Sequence, residues 1–195
     1  MQTYEYPNQF FRDAFQQRSL SGISVHIIIE DQKYQQFSNP ITQLQSDFSG
    51  YESIEVKSDQ QMGTTYVHSK ISLSDTAFRI QSANLTTSSF ESNREHFFTS
   101  SHPEVLASLQ QLFDNDWNGI PLQSADFHPN LVVCPTNCRA VIEALLSGAR
   151  TSIIIQTQYI TDQSILHILR QKSQQLAINI IVADTIDNAE LTAYF

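Results

Sequence analysis

Tyr66-Val67-His68-Ser69-Lys70-Ile71-Ser72-Leu73-Ser74-Asp75 is the stretch on which the reading of this chain turns. As a β-strand its period of two sends Tyr66, His68, Lys70 and Ser72 to one face, and Val67, Ile71 and Leu73 to the other. One face is apolar and the other carries an imidazole next to an ammonium. Alone, that pair is what any solvent-facing strand edge presents. It does not stand alone: Asp75 closes the stretch, Ser82-Ala83-Asn84 follows, and Asn93-Arg94-Glu95 comes after that. Imidazole, ammonium, hydroxyl, amide and carboxylate thus fall at constrained positions within one short stretch.

Working outward, helix and strand signals alternate along the whole chain, which favours an α/β layered domain. Asn8 caps a helix whose Phe10, Phe11, Ala14 and Phe15 share a stripe. A strand from Ile23 to Ile29 follows, then a helix over Pro40 to Phe48 and strands at Ile54–Val56, Tyr66–Leu73, Phe78–Gln81 and Phe97–Thr99. Ser101 with Glu104 forms a capping-box pattern around Pro103, opening a helix that runs to about Trp117. The segment 119–130, with Gly119, Pro121 and Pro129, reads as a linker between residues 1–118 and residues 131–195. Beyond it come a short strand at Val132-Val133, a helix from Thr136 to Leu146 closed by Gly148, a strand Ile153–Gln156, a helix Asp162–Gln174 and a strand Ile178–Val182.

With 195 residues, 41% of them hydrophobic, the chain is large enough to bury a core. Its net charge of -9 argues against gripping a polyphosphate backbone through the overall field, though a local positive pocket is compatible with it. No apolar stretch approaches the roughly 20 residues that cross a bilayer, and the first residues do not form a secretory signal. A soluble or membrane-peripheral protein, cytoplasmic or otherwise, is expected. Cys134 and Cys138 lack the companion ligands of a zinc site and read as two thiols. Asp114, Asp116, Asn118 and Gly119 imitate the start of a calcium loop, but Ala125 stands where the twelfth-position glutamate belongs, so the segment reads as a polar helix end. No phosphate-cradling GxxxxGK or dinucleotide GxGxxG is present, and no metal or cofactor is expected.

The order His68-x-Lys70-x4-Asp75, Ser82-x-Asn84 and Glu95, continuing through Leu85 to Phe113 and Asp116-Trp117, resembles the HKD signature of the phospholipase D superfamily. The resemblance implies a mixed β-sheet flanked by helices, with one complete HKD repeat and the start of a second. It implies that His68 is either the nucleophile that forms a phosphohistidine or the general acid, a dual candidacy that suits imidazole near neutral pH. Lys70, Ser82 and Asn84 would hold the phosphate oxygens. Glu95 would orient the imidazole through its far nitrogen, as a triad carboxylate does. Asp75 belongs to the motif, and its expected part is to organise the turn between two strands.

Two departures qualify the resemblance. Gln81 stands where the family usually has glycine, a position that lets backbone approach phosphate. The reaction also needs a second histidine, and none of His26, His96, His102, His128 and His167 begins another HxK. Within the family the second half comes from an internal duplication or from a homodimer. A faint repeat lays Tyr6–Asp31 on Tyr159–Asp184, with Val25, Ile27, Ile28, Ile29 and Asp31 meeting Ile178, Ile180, Ile181, Val182 and Asp184. Carried forward, it puts a second motif at about position 220, past Phe195. Ahead of Tyr6 no apolar counterpart of the strand before Tyr159 is visible. The expectation is therefore a fragment or a divided protein, in preference to a complete homodimeric enzyme.

The substrate expected is a phospholipid, hydrolysed or transphosphatidylated in the manner of bacterial phospholipase D-like and cardiolipin synthase-like proteins. A nuclease using the same site is the alternative. It is disfavoured because Lys57, Lys70, Arg79 and Arg94 are the chief basic residues near His68. A phosphate-binding scaffold without turnover is the third reading.

Overall fold

The computed structural model describes residues 1–5, 7–31, 40–59, 67–123, 127–185, 188 and 191. Tyr6, Tyr66 and Ala125, which enter the readings above, lie outside the described residues. The chain divides into two units, Met1–Leu131 and Val132–Phe195.

Unit 1 is built on a six-stranded sheet in the order β3-β2-β1-β4-β5-β6, formed by β1 (Gln2–Thr3), β2 (Val25–Ile29), β3 (Ile54–Ser58), β4 (Ile71–Leu73), β5 (Phe78–Gln81) and β6 (Phe97–Ser100). Strands β3, β2 and β1 run parallel, and from β1 onward each pairing is antiparallel. Parallel strands need crossovers, which are supplied by α1 (Gln9–Leu20) and α2 (Pro40–Asp47). Strand β2 is apolar on both faces. Ile27 and Ile29 pack with Phe15, Leu44 and Phe48 from α1, α2 and the residue after α2, whereas Ile28 packs with Val67 and with Phe113 of α4 (Pro103–Asn118). That burial on two sides explains its uninterrupted Ile-Ile-Ile, and the mixed sheet with helices on both faces is the expected architecture.

Several elements differ from the sequence reading for identifiable reasons. Strand β1 was not foreseen, because two polar residues, Gln2 and Thr3, show no hydrophobic period; both are nonetheless buried at the centre of the sheet. It occupies the place ahead of Tyr6 where no counterpart strand had been visible. A short helix, α3 (Thr87–Glu91), was also missed. Asn8 caps α1 as expected, accepting from Phe11 N at 3.3 Å, but Phe10 is 73% exposed and belongs to no core. Helix α4 is capped by His102, not Ser101: Pro103 fixes the first turn and holds the residue before it extended. Gly119, at φ 67°, ends that helix. Within the segment that reads as a linker, Phe127 is buried and the His128 amide donates to Ser108 Oγ at 2.9 Å.

Unit 2 comprises α5 (Cys138–Gly148), β7 (Ser152–Gln156), α6 (Gln163–Ser173) and β8 (Ala177–Ile181), with β7 and β8 parallel. Leu146, Ile153, Ile160, Leu166, Leu169 and Leu191 form its core. Val132-Val133 is not a strand, and Cys134 and Cys138 form a disulfide instead of the expected two buried or free thiols. Each unit thus contains a strand–helix–parallel strand segment, β1-α1-β2 and β7-α6-β8, which gives the faint repeat a structural basis.

Candidate active site

Val67 to Lys70 lie just ahead of β4 and not inside it, so the reactive segment is held by individual contacts and not by a full ladder. Val67 N donates to Glu30 Oε2 at 2.8 Å, and Gln81 N donates to Lys70 O at 3.1 Å. Between these anchors, Lys70 folds back. Its ammonium lies 3.2 Å from His68 Nε2, donates to His68 O at 2.7 Å and stands 4.8 Å from the centroid of the Tyr4 ring. The same Tyr4 ring meets the imidazole edge-on at 4.3 Å. Lys70 is 7% exposed, while His68 is open to solvent. An ammonium has hydrogens and no lone pair, so this contact requires Nε2 to be the unprotonated nitrogen of the ring. That is the form in which an imidazole can attack phosphorus.

The neighbouring strands bring the remaining motif residues to the same end of the sheet. Residue 81 pairs with Lys70 on one side and with Phe97 on the other. Ser82 N donates to His96 O at 3.1 Å, and Ser82 Oγ accepts from His96 N at 3.0 Å. Ser82 Oγ donates to Glu95 Oε2 at 2.5 Å, and Asn93 Nδ2 reaches Glu95 Oε1 at 3.4 Å. Glu95 therefore binds Ser82 and Asn93, while His68 rests on Tyr4 and Lys70. A cleft of about 420 Å³ adjoins this carboxylate, lined by Phe90, Asn93, Arg94, Glu95 and Phe97 among others. Asn84 Oδ1 is buried and has no hydrogen-bond partner among the described residues. Gln81, at the family's glycine position, turns its amide onto Ala83 O at 2.9 Å. The β4–β5 turn is organised by Ser74, whose hydroxyl accepts from Ala77 N at 3.1 Å; Asp75 is exposed at its tip.

Behind the segment lie polar groups that the motif did not announce. Gln2 is 2% exposed; its Nε2 donates to Asp116 Oδ2 and its Oε1 accepts from Ser69 Oγ. Asp116 sits in the last turn of α4, and burial pushes its carboxyl up to about 6, with the Gln2 hydrogen bond opposing the shift. Neither the echo of a calcium loop nor the family resemblance in which this residue figures gives a sign of that contact. Glu30, a second buried carboxylate, was likewise unremarked at the end of an apolar strand.

The model of the family described as cardiolipin synthase, PLD-like domain, matches residues 1–117, which include every one of these site residues. This chain belongs to the phospholipase D-like family. Among solved structures it is similar to polyphosphate kinase from Porphyromonas gingivalis, with a TM-score of 0.66 and 16% identity, covering 93% of this chain and 32% of that one. The chain thus spans about a third of the length of that kinase. It is similar also to Nuc from Salmonella typhimurium, described as a phospholipase D family member, at TM-score 0.53 and 17% identity over 61% of this chain and 76% of that one. NucT from Helicobacter pylori gives 0.51 and 17%, over 60% and 77%. At these identities the likeness is one of fold. No curated protein matches the chain.

No cluster of three metal-ligating side chains occurs among the described residues, and no described helix is long and apolar enough to cross a membrane.

Proposed function

We propose that this chain carries one half of a phosphodiester-processing site that acts on phospholipid through a phosphohistidine on His68. In the first step the Nε2 lone pair forms a bond to phosphorus while the bond to the alkoxide leaving group breaks, and a second histidine gives that alkoxide its proton. In the second step water or an alcohol gives its proton to the second histidine and forms a bond to phosphorus while the bond to His68 Nε2 breaks, yielding a phosphatidic acid or a transferred phosphatidyl group. Lys70 offsets the charge that builds on the non-bridging oxygens, with Ser82 and Asn84 as neutral partners.

The observation that carries this reading is the Lys70 ammonium set 3.2 Å from an acceptor nitrogen of His68. The preference for lipid over nucleic acid rests on the net charge of -9 and on the matched family's description. Of the nearby basic residues, Lys57 is already bound to Trp117 O at 3.0 Å. The partner that completes the site is a second copy or a complementing segment supplying the other histidine.

The test is turnover of bis(p-nitrophenyl) phosphate and of mixed-micelle phosphatidylglycerol, with single-stranded DNA as competitor. His68→Ala is expected to abolish turnover by about a thousandfold or more, and Lys70→Ala to cost about a hundredfold. A rate per chain that rises with protein concentration identifies a second copy as the partner. Potent, salt-sensitive inhibition by DNA would replace the lipid reading with the nuclease one. Phosphate binding without turnover at any concentration would favour the scaffold.

A further inference from the structure

The reactive segment is tethered at its two ends by Glu30 and by the Gln81 amide, and His68 and Ser69 between them precede the ladder of β4. The carbonyl of His68 is taken by Lys70's own ammonium. Between the ends, Ser69 Oγ donates to Gln2 Oε1, and Gln2 Nε2 donates to the carboxylate of Asp116. We propose that Gln2 is a positioning residue, fixing the aim of His68 and Lys70 from behind the sheet by tying Ser69 to Asp116 on α4. The proposal rests on the reading of His68 and Lys70 as the reacting pair.

The direction of the chain of bonds follows from its end group. An ionised carboxylate only accepts, so the amide nitrogen must face Asp116 and the amide oxygen is left for Ser69, whose hydroxyl then has to donate. One orientation satisfies all three groups. It is also well buried, with Gln2 2% and Asp116 6% exposed, so breaking it would leave an unpaired polar group out of reach of water. Because side chains alternate, pulling Ser69 towards α4 turns His68 and Lys70 the other way, towards Tyr4.

The experiment is a double-mutant cycle of Gln2→Met, which keeps the volume and removes both hydrogen bonds, with Ser69→Ala. It is read by turnover of bis(p-nitrophenyl) phosphate and by the ¹⁵N chemical shifts of the His68 imidazole. Gln2→Met is expected to lower kcat about tenfold to a hundredfold with KM little changed, since a displaced nucleophile costs rate rather than affinity. Ser69→Ala is expected to do the same, and the double variant to be no worse than the worse single one. In each variant the His68 ring shifts move away from those of the parent. Multiplying effects in the double variant, or unchanged His68 shifts in Gln2→Met, would overturn the proposal. Should Gln2→Met not fold, Ser69→Ala alone decides it by the same His68 shifts, because Ser69 is at an exposed position. A parent chain without turnover would count against the phosphohistidine reading only, and the ring shifts would still decide the role of Gln2.

Discussion

Asp116 is a carboxylate that burial holds protonated up to about pH 6, against 3.8 when free. The folded chain binds this proton more tightly than the unfolded chain does. The stability it contributes is therefore complete below about pH 4 and is lost as the pH rises through about 6. Asp116→Asn removes the dependence. The variant is expected to be more stable than the parent by about 1–2 kcal/mol at pH 7, with the gap closing towards pH 4, in urea titrations at both pH values. A gap that widens on acidification would contradict this account. At this scale the sequence was uneven. His68, Lys70, Ser82, Asn84 and Glu95 were visible because their spacing is compact and chemically distinctive. Gln2 and Asp116 were not, because their contact joins residues 114 positions apart and nothing local records it.

Among the elements, α1 shows how a cap serves the site as well as its helix. Asn8 accepts from Phe11 N, its own amide donates to Leu85 O at 2.7 Å, and its Nδ2 reaches Thr87 Oγ1 at 3.5 Å. Asn8→Ala is expected to cost about 1 kcal/mol of stability. It should also raise hydrogen exchange in residues 85–91, measured by mass spectrometry, while exchange in α2 stays as it was. Protection of 85–91 that survives the substitution would show that the cap acts on α1 alone. Long, periodic elements such as α4 and β2 could be read from the chain because each carries a core face. The two-residue β1 could not, because two polar residues carry no hydrophobic period. Strand β4 was read too long, since the alternation of Val67 to Leu73 continues where the hydrogen-bonded ladder stops.

At the scale of the molecule, the sole tryptophan, Trp117, reports on unit 1. It stacks on His26 at 4.8 Å and on Phe113 at 5.8 Å, beneath the Lys57 ammonium at 4.3 Å. The disulfide between Cys134 and Cys138 belongs to unit 2. Reducing it is therefore expected to leave the denaturant midpoint of tryptophan fluorescence within error of the oxidised chain. A displaced midpoint would show that the two transitions are coupled. The burial of Phe127 and the bond from the His128 amide to Ser108 were not legible in the Gly- and Pro-bearing segment after α4, because loop residues carry no period. Finally, the way Lys70 is tucked against the His68 carbonyl and the Tyr4 ring bears on covalent footprinting. An amine-acylating reagent applied to the native chain should mark Lys70 late. Its labelling time course would then report how often the reactive loop opens, with no substrate required.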